Sequence, residues 1–280
     1  MGDIMSEKSG INVIKIGGAL VAADLTPAIE DLVNLINEGY KFVIVHGGGP
    51  QINDLEAKMG REPKIYETQQ GMKTRYTDRE TMDAVLMALG GFVNKSLVEK
   101  FILKGVKAFG FTGLDGACIR AQRKDKIMVV KNGKRIILRG EYSGKITDVD
   151  PKPIRLLLDS GYVPIIGSIS ADEEGNAINA DGDRAASAVA AALGANSLIS
   201  LTDVPGIYKD METKEVISKL NLKEAKQLLE SLTGGMKKKL FAALEALESS
   251  INKVYIYSGQ ENKPFSAILK EGKGTVIFKE

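Results

Sequence analysis

Short β-branched runs of four or five residues recur along the chain, separated by amphipathic stretches long enough for helices. Alternation of this kind builds βαβ units and a largely parallel sheet. The strands are expected at 12–16, 42–45, 108–111, 163–166, 197–201, 254–257 and 275–278. The helices are expected at 26–37, 51–59, 79–104, 152–159, 184–193, 222–230 and 237–248. The fold class implied is α/β, a three-layer αβα sandwich. Glycine follows several of the strands, at Gly17, Gly47, Gly113, Gly167 and Gly206. Ligands of open α/β sheets bind beyond the carboxyl ends of the strands, so those glycines mark the side to search.

One segment breaks the alternation. Residues 117–145 read as strands around Lys131-Asn132-Gly133-Lys134, and Asn-Gly is a hairpin turn, so a β-hairpin insertion is expected here. Between Arg120 and Lys145 it carries nine Lys/Arg against Asp125 and Glu141. That is either a solvated face or a docking patch for an acidic partner. Turn-rich residues 168–176 suggest an N-terminal lobe over 11–170 and a C-terminal lobe over 171–280, with 1–10 a polar tail.

A net charge of +2 gives no global pull toward nucleic acid or a membrane surface. One cysteine, Cys118, excludes an internal disulfide and a cysteine-rich metal site. No apolar run reaches the ~18 residues of a membrane span, and residues 1–10 lack a signal-peptide core, so a cytoplasmic protein is expected.

The chemistry gathers around glycine and lysine. Lys15 lies in Val13-Ile14-Lys15-Ile16-Gly17-Gly18, and Lys239 closes Gly234-Gly235-Met236-Lys237-Lys238-Lys239. Between them His46-Gly47-Gly48-Gly49-Pro50 follows an apolar strand. Glycine lets backbone approach an anion, helix N-termini bind it, and lysine supplies a cation. Phosphate transfer follows, yet neither a P-loop nor a Gly-x-Gly-x-x-Gly motif is present. His46 is the only histidine, which argues against a His-dependent triad, and a hydrogen-bonded structural role suits it best. Transfer to an alcohol wants a general base; a carboxylate of pKa ~4 needs none. A kinase that makes an acyl phosphate therefore fits.

Arg75 in Thr74-Arg75-Tyr76-Thr77-Asp78 could grip a carboxylate or form a surface ion pair, and Thr77 or Asp78 could cap the next helix. In Asn179-Ala180-Asp181-Gly182-Asp183-Arg184 the acids could serve the dipole of the following helix, or Asp183 could orient the lysines. Residues 201–208 run from a strand into a polar turn that would suit a nucleotide rim.

Together these blocks resemble the amino acid kinase family over nearly the whole chain. The matching pieces are Lys15-Ile16-Gly17-Gly18, Val45 through Gln51, Arg75-Tyr76-Thr77-Asp78, Asn179 through Ala186, Leu201 through Tyr208, and Gly234-Gly235-Met236 with Lys239. Within the acetylglutamate kinase branch, Arg75–Asp78, Asp181-Gly182-Asp183-Arg184 and the hairpin ending Gly140 through Ile146 resemble kinases acting on the amino-group carrier protein LysW. Acetylglutamate kinases usually carry Asn-Ala-Asp where this chain has Asp181-Gly182-Asp183.

The resemblance implies ATP-dependent phosphorylation of the distal carboxylate of carrier-linked aminoadipate, or of glutamate, in lysine and arginine biosynthesis. The alternative is an N-acetylglutamate kinase, and a remote one is a non-catalytic sensor on the same fold. By position, Lys15, Lys239 and Asp183 would be catalytic. Gly47, Gly48, Gly49, Arg75 and Asn179 would hold the acceptor. Gly17, Gly18, Thr202, Asp203, Gly206, Tyr208, Asp210 and Met236 would surround ATP, in an N-terminal acceptor lobe and a C-terminal nucleotide lobe. Mg2+ would be held mainly through phosphates, with no protein ligand. The carrier would dock on Arg120, Arg123, Lys124, Lys134 and Arg135, and a homodimer is expected.

Overall fold

Eight strands form one sheet: β1 (Ile11–Ile16), β2 (Lys41–His46), β3 (Ala108–Thr112), β4 (Val163–Gly167), β5 (Ser197–Thr202), β6 (Lys219–Asn221), β7 (Lys253–Ser258) and β8 (Thr275–Phe278). Their spatial order is β6-β8-β7-β5-β1-β2-β4-β3, and only the β7–β8 pair is antiparallel. The structure is a computed structural model and describes residues 8, 10–68, 73–131, 134–210, 212–249 and 251–279. All seven strands expected from the sequence are present, and the three-residue β6 is added at the edge.

The sheet is buried on both faces, as its continuous apolar strands require. Successive side chains point to opposite sides, so Val13, Val43 and Val45 face one core while Ile14, Phe42 and Ile44 face the other. Among the described residues, eight helices of two turns or more flank or adjoin the sheet. They are α1 (Thr26–Asn37), α2 (Gly49–Lys58), α3 (79–102), α4 (Lys152–Asp159), α5 (Gly182–Leu193), α6 (Leu222–Ser231), α7 (Gly234–Ser249) and α8 (Pro264–Glu271). Apolar residues of α1, α3 and α8 fill the core on the Ile14 side; those of α4, α5, α6 and α7 fill the Val13 side. The result is the three-layer sandwich.

Two helices differ from expectation. Helix α3 is α-helical over Arg79–Val85 and Asn94–Ile102 but π-helical over Leu86–Val93, around Gly90-Gly91. The looser winding sets Leu89 and Val93 together against Gly48, where a Cβ would meet them at 2.5 and 3.2 Å. Helix α8 was not expected at all. Its own N-cap position, Lys263, makes no capping hydrogen bond. Buried Asp31 on α1 caps it from a distance, accepting the amides of Phe265 and Ser266 at 2.8 and 2.9 Å.

The expected hairpin insertion is present and longer than a single turn. Lys126–Lys131 pairs with Lys134–Arg139, opposing Met128 to Ile137, while the Asn132-Gly133 turn lies outside the described residues. At its base Ile119–Arg123 pairs with Gly144–Val149. Two unexpected short strands extend the hairpin's sheet: Ile65–Glu67 pairs with Lys126–Lys131, and Lys73–Arg75 pairs with the outer side of Ile65–Glu67, which brings Arg75 to the cavity. Asp78 caps α3 by accepting the Thr81 amide at 3.0 Å. No helix among the described residues is long and apolar enough to cross a membrane.

Candidate active site

β1 and β2 run in register, Lys15 beside Val45 and Ile16 beside His46, so their glycine turns emerge at one level. The two turns touch. A Cβ on Gly18 would come within 2.8 Å of the Gly48 Cα and 2.7 Å of the Pro50 Cδ. Backbone on backbone leaves room for hydrogen only, which is the physical reason for glycine there. Gln51, one turn into α2, fastens them by donating from Nε2 to the Gly18 carbonyl at 2.8 Å. Gly47 and Gly49 meet nothing where a Cβ would stand; they line the cavity with open space before them.

That cavity has a volume of about 350 Å3 at the carboxyl ends of the strands. Gly17, Gly18 and Gly47 through Gly49 form one wall, Arg75 and Asn179 stand elsewhere on it, and Asp181, Gly182 and Asp183 close it from the start of α5. Both α2 and α5 begin at the cavity, and the first amides of a helix have no partner within it, so the lining has a positive bias suited to anions.

Lys15 and Asp183 pair at 2.8 Å, both largely buried. Burial pushes the Asp183 carboxyl up, but the charges of Lys15 and Lys239 outweigh it and hold the group below the ordinary carboxylate range. Burial lowers the Lys239 ammonium, and Lys15 adds to that, while Asp183 opposes both. One acid between two lysines stays ionised and makes a poor proton acceptor. Asp181 is occupied as the α5 cap, accepting the amides of Asp183 and Arg184.

Arg75 is held in place. Nη1 pairs with buried Glu56 at 2.7 Å, and Nη2 donates to the Gly49 carbonyl at 3.2 Å and to Asn53. Glu56 is a residue the sequence reading missed; it also accepts from the Thr81 hydroxyl at 3.1 Å. Asn179 donates to the Thr77 hydroxyl at 3.0 Å.

His46 is structural. Its Nδ1 lies 3.0 Å from the Gly47 carbonyl and its Nε2 3.1 Å from the Asn94 amide nitrogen, which assigns the proton to Nδ1. Burial lowers its pKa to about 4. The rim residues Thr202, Asp203, Gly206, Tyr208, Asp210 and Met236 do not line the cavity. Thr202 ends β5, Asp203, Gly206, Tyr208 and Asp210 lie on the loop after it, Met236 lies at the start of α7, and Asp203 adds to the field at Lys239. Asp210 accepts the amides of Glu212 and Thr213 within its own turn.

Comparison with known proteins settles the family: the amino acid kinase family matches residues 10–258. The chain belongs to the amino acid kinase family. It is 39% identical over 267 residues to the [LysW]-aminoadipate/[LysW]-glutamate kinase of Saccharolobus solfataricus, covering 95% of this chain and 98% of that one. It is also 39% identical over 274 residues to an acetylglutamate kinase of Archaeoglobus fulgidus, covering 95% and 92%. Among solved structures, N-acetylglutamate synthase of Neisseria gonorrhoeae with coenzyme A and N-acetyl-glutamate aligns at a TM-score of 0.80 and 24% identity, over 100% of this chain and 62% of that longer one. That likeness concerns the fold. As an amino acid kinase, the protein is a phosphotransferase, and the cavity with Lys15 and Asp183 is its candidate centre.

Proposed function

We propose that this kinase transfers the γ-phosphoryl group of ATP to the distal carboxylate of aminoadipate, or glutamate, carried on the amino-group carrier protein LysW. The observation that carries the reading is a cavity lined by glycine amides and Lys15, with the ionised Asp183 paired to Lys15 and within the field of Lys239, which itself lies outside the lining, and with no histidine in it. The sole histidine is buried in a hydrogen-bond network, so the acceptor must arrive already ionised, as a carboxylate does. A carboxylate oxygen attacks the γ-phosphorus, the bond to the β-bridging oxygen breaks, and ADP leaves with that electron pair. Lys15 and Lys239 neutralise the charge spread over the transferring group, and Asp183 keeps them apart and aimed. Amides of Gly48 and Gly49 receive the acceptor and phosphate oxygens, while Arg75 and Asn179 hold the acceptor's other end. The loop 202–210 with Met236 would receive the nucleotide, which divides the work between an acceptor lobe at 11–170 and a nucleotide lobe at 171–280. Mg2+ would enter with ATP and be held mainly through its phosphates.

The test is ATP-dependent acyl-phosphate formation, trapped with hydroxylamine, on carrier-linked aminoadipate, carrier-linked glutamate and free N-acetylglutamate in parallel. Turnover of carrier-linked acids alone supports the proposal. Turnover of free N-acetylglutamate moves the protein to the second reading, which the equally similar Archaeoglobus relative favours. Failure on all three would return it to the sensor.

The carrier would dock on the basic hairpin. Lys124 lines the cavity, and Lys134 and Arg135 are exposed on the return strand; Arg120 is exposed at the base. Arg123 is a weaker candidate than its charge suggested, because its guanidinium already lies 3.6 Å from the Tyr142 ring centroid. Lys134→Ala with Arg135→Ala is expected to lower kcat/KM for the carrier-linked acid roughly tenfold at low salt and to flatten its salt dependence. An unchanged salt slope would remove the hairpin from docking.

A homodimer is also part of the proposal. Helix α3 leaves Met87 and Phe92 exposed, the latter at 70%, and edge strand β3 leaves Phe109 exposed. Phe92→Glu is expected to convert a dimer to a monomer in sedimentation velocity; a wild-type monomer would refute the assignment.

A further inference from the structure

The hairpin insertion and the acceptor side of the cavity meet at one buried carboxylate. Glu141, just after the return strand Lys134–Arg139, is fully buried. Its Oε1 accepts the Thr77 amide at 3.2 Å and the Ser143 amide at 3.0 Å. Around it the chain is laced further. The Tyr142 amide donates to the Thr77 carbonyl at 2.6 Å, and the Asn179 amide donates to the Tyr142 carbonyl at 2.8 Å. The Asn179 side chain donates to the Thr77 hydroxyl. From the hairpin base, Arg123 donates Nε to the Glu141 carbonyl at 2.7 Å and stacks on Tyr142.

Burial alone pushes the Glu141 carboxyl up, so placing an acid here costs free energy that an apolar side chain would not. What the carboxylate adds is a single fixed point that accepts amides from two segments. One of them, at Thr77, lies two residues beyond Arg75; the other, at Ser143, itself lines the cavity with Asn179. We infer that Glu141 is a positioning residue of the acceptor site. It acts through Thr77 and Ser143 to set Arg75 and Asn179, and it ties both to the base of the hairpin, so that a partner held on the hairpin is felt at the acceptor. The inference rests on the proposed acceptor role of Arg75 and Asn179; the fastening itself does not.

Two measurements on Glu141→Leu, Glu141→Gln and Thr77→Val separate these. Amide hydrogen exchange reads the fastening in the free protein. Kinetics on whichever acid the wild type turns over, with AMP-PNP affinity measured alone, reads the positioning. Glu141→Leu is expected to speed exchange at Thr77, Tyr142, Ser143 and Asn179 about tenfold and to raise acceptor KM by a similar factor, the size expected when buried amides lose their acceptor. Exchange at residues 47–49 and AMP-PNP affinity stay at wild-type values. Glutamine retains the shared oxygen and restores both readouts. Unchanged exchange at those four amides overturns the fastening whether or not the wild type turns over any acid. Increased exchange with no change in acceptor KM, or with acceptor and AMP-PNP constants weakened alike, overturns the positioning role and leaves a structural one. Should the leucine variant not fold, Thr77→Val decides by itself: it removes the hydroxyl that orients Asn179, and an unchanged acceptor KM overturns the inference.

Discussion

Lys15→Ala and Lys239→Ala should each lower kcat about 1,000-fold, the upper range for removing one preorganised charge or donor from a transferring group. The expectation follows from arrangement rather than from charge count. Lys15 rises from β1 and Lys239 from the second turn of α7, and both act on Asp183. Because they act on the same group in transit, their losses should not add: the double variant is expected to be little slower than either single one. KM for ATP should change less than kcat, since the charge to be stabilised develops during transfer. Removing Lys15 also takes away the nearest cation to Asp183, whose carboxyl should then rise toward its ordinary value. The hydroxylamine assay on carrier-linked acid checks all of this. A variant within about tenfold of wild-type kcat would take that lysine out of the chemistry.

The large sheet and the glycine turns were legible in the sequence because both are local. A strand buried on two faces must be apolar throughout, and an amide surface that meets an anion or another backbone must be glycine, so β1 and β2 announce themselves with Gly17-Gly18 and Gly47-Gly48-Gly49. Lys15, Arg75, Asn179 and Asp183 do line one cavity. What stayed hidden depends on distant partners. Ile65–Glu67 and Lys73–Arg75 are three-residue polar strands with no periodicity to read, and Ile65–Glu67 is fixed only by pairing with Lys73–Arg75 and with Lys126–Lys131. Helix α8 borrows its cap from Asp31, 234 positions earlier. Glu56 and Glu141 read as ordinary surface acids, yet each is buried against a segment 19 or 64 positions away. Position in sequence carries no sign of that until the chain is folded.

His46 gives the protein a pH dependence of stability that can be assigned to one residue. Its folded pKa is about 4 against 6.5 for the free side chain, with burial the first cause and the charge of Lys95 adding to it. Between those values the unfolded chain binds a proton that the folded protein refuses. The contribution is therefore fully present above pH 6.5 and lost as pH falls toward 4, a span of about 2.5 units worth roughly 3 kcal/mol. Asp24, Asp78, Asp183 and Asp210, all held below the ordinary value of 3.8, contribute the same sign but at lower pH. Glu141, raised by burial, acts in the opposite direction near the bottom of the window. Urea unfolding from pH 7 to pH 4.5 should show the loss in the wild type and its disappearance in His46→Asn, since no other histidine exists to replace it. Asparagine can donate to the Gly47 carbonyl in place of Nδ1 but leaves ring volume unfilled, so the variant should start less stable at pH 7 and end with a flatter profile. A wild-type slope that survives the substitution would move the titration to the carboxylates. The same protonation reaches function, because charging the ring puts a donor at Nε2 against the Asn94 amide that now donates to it. The turn that His46 leads into is the one presenting Gly47, Gly48 and Gly49 to the cavity, so activity of the folded protein should fall with the folded pKa of His46, about 4, below the pH at which stability begins to decline.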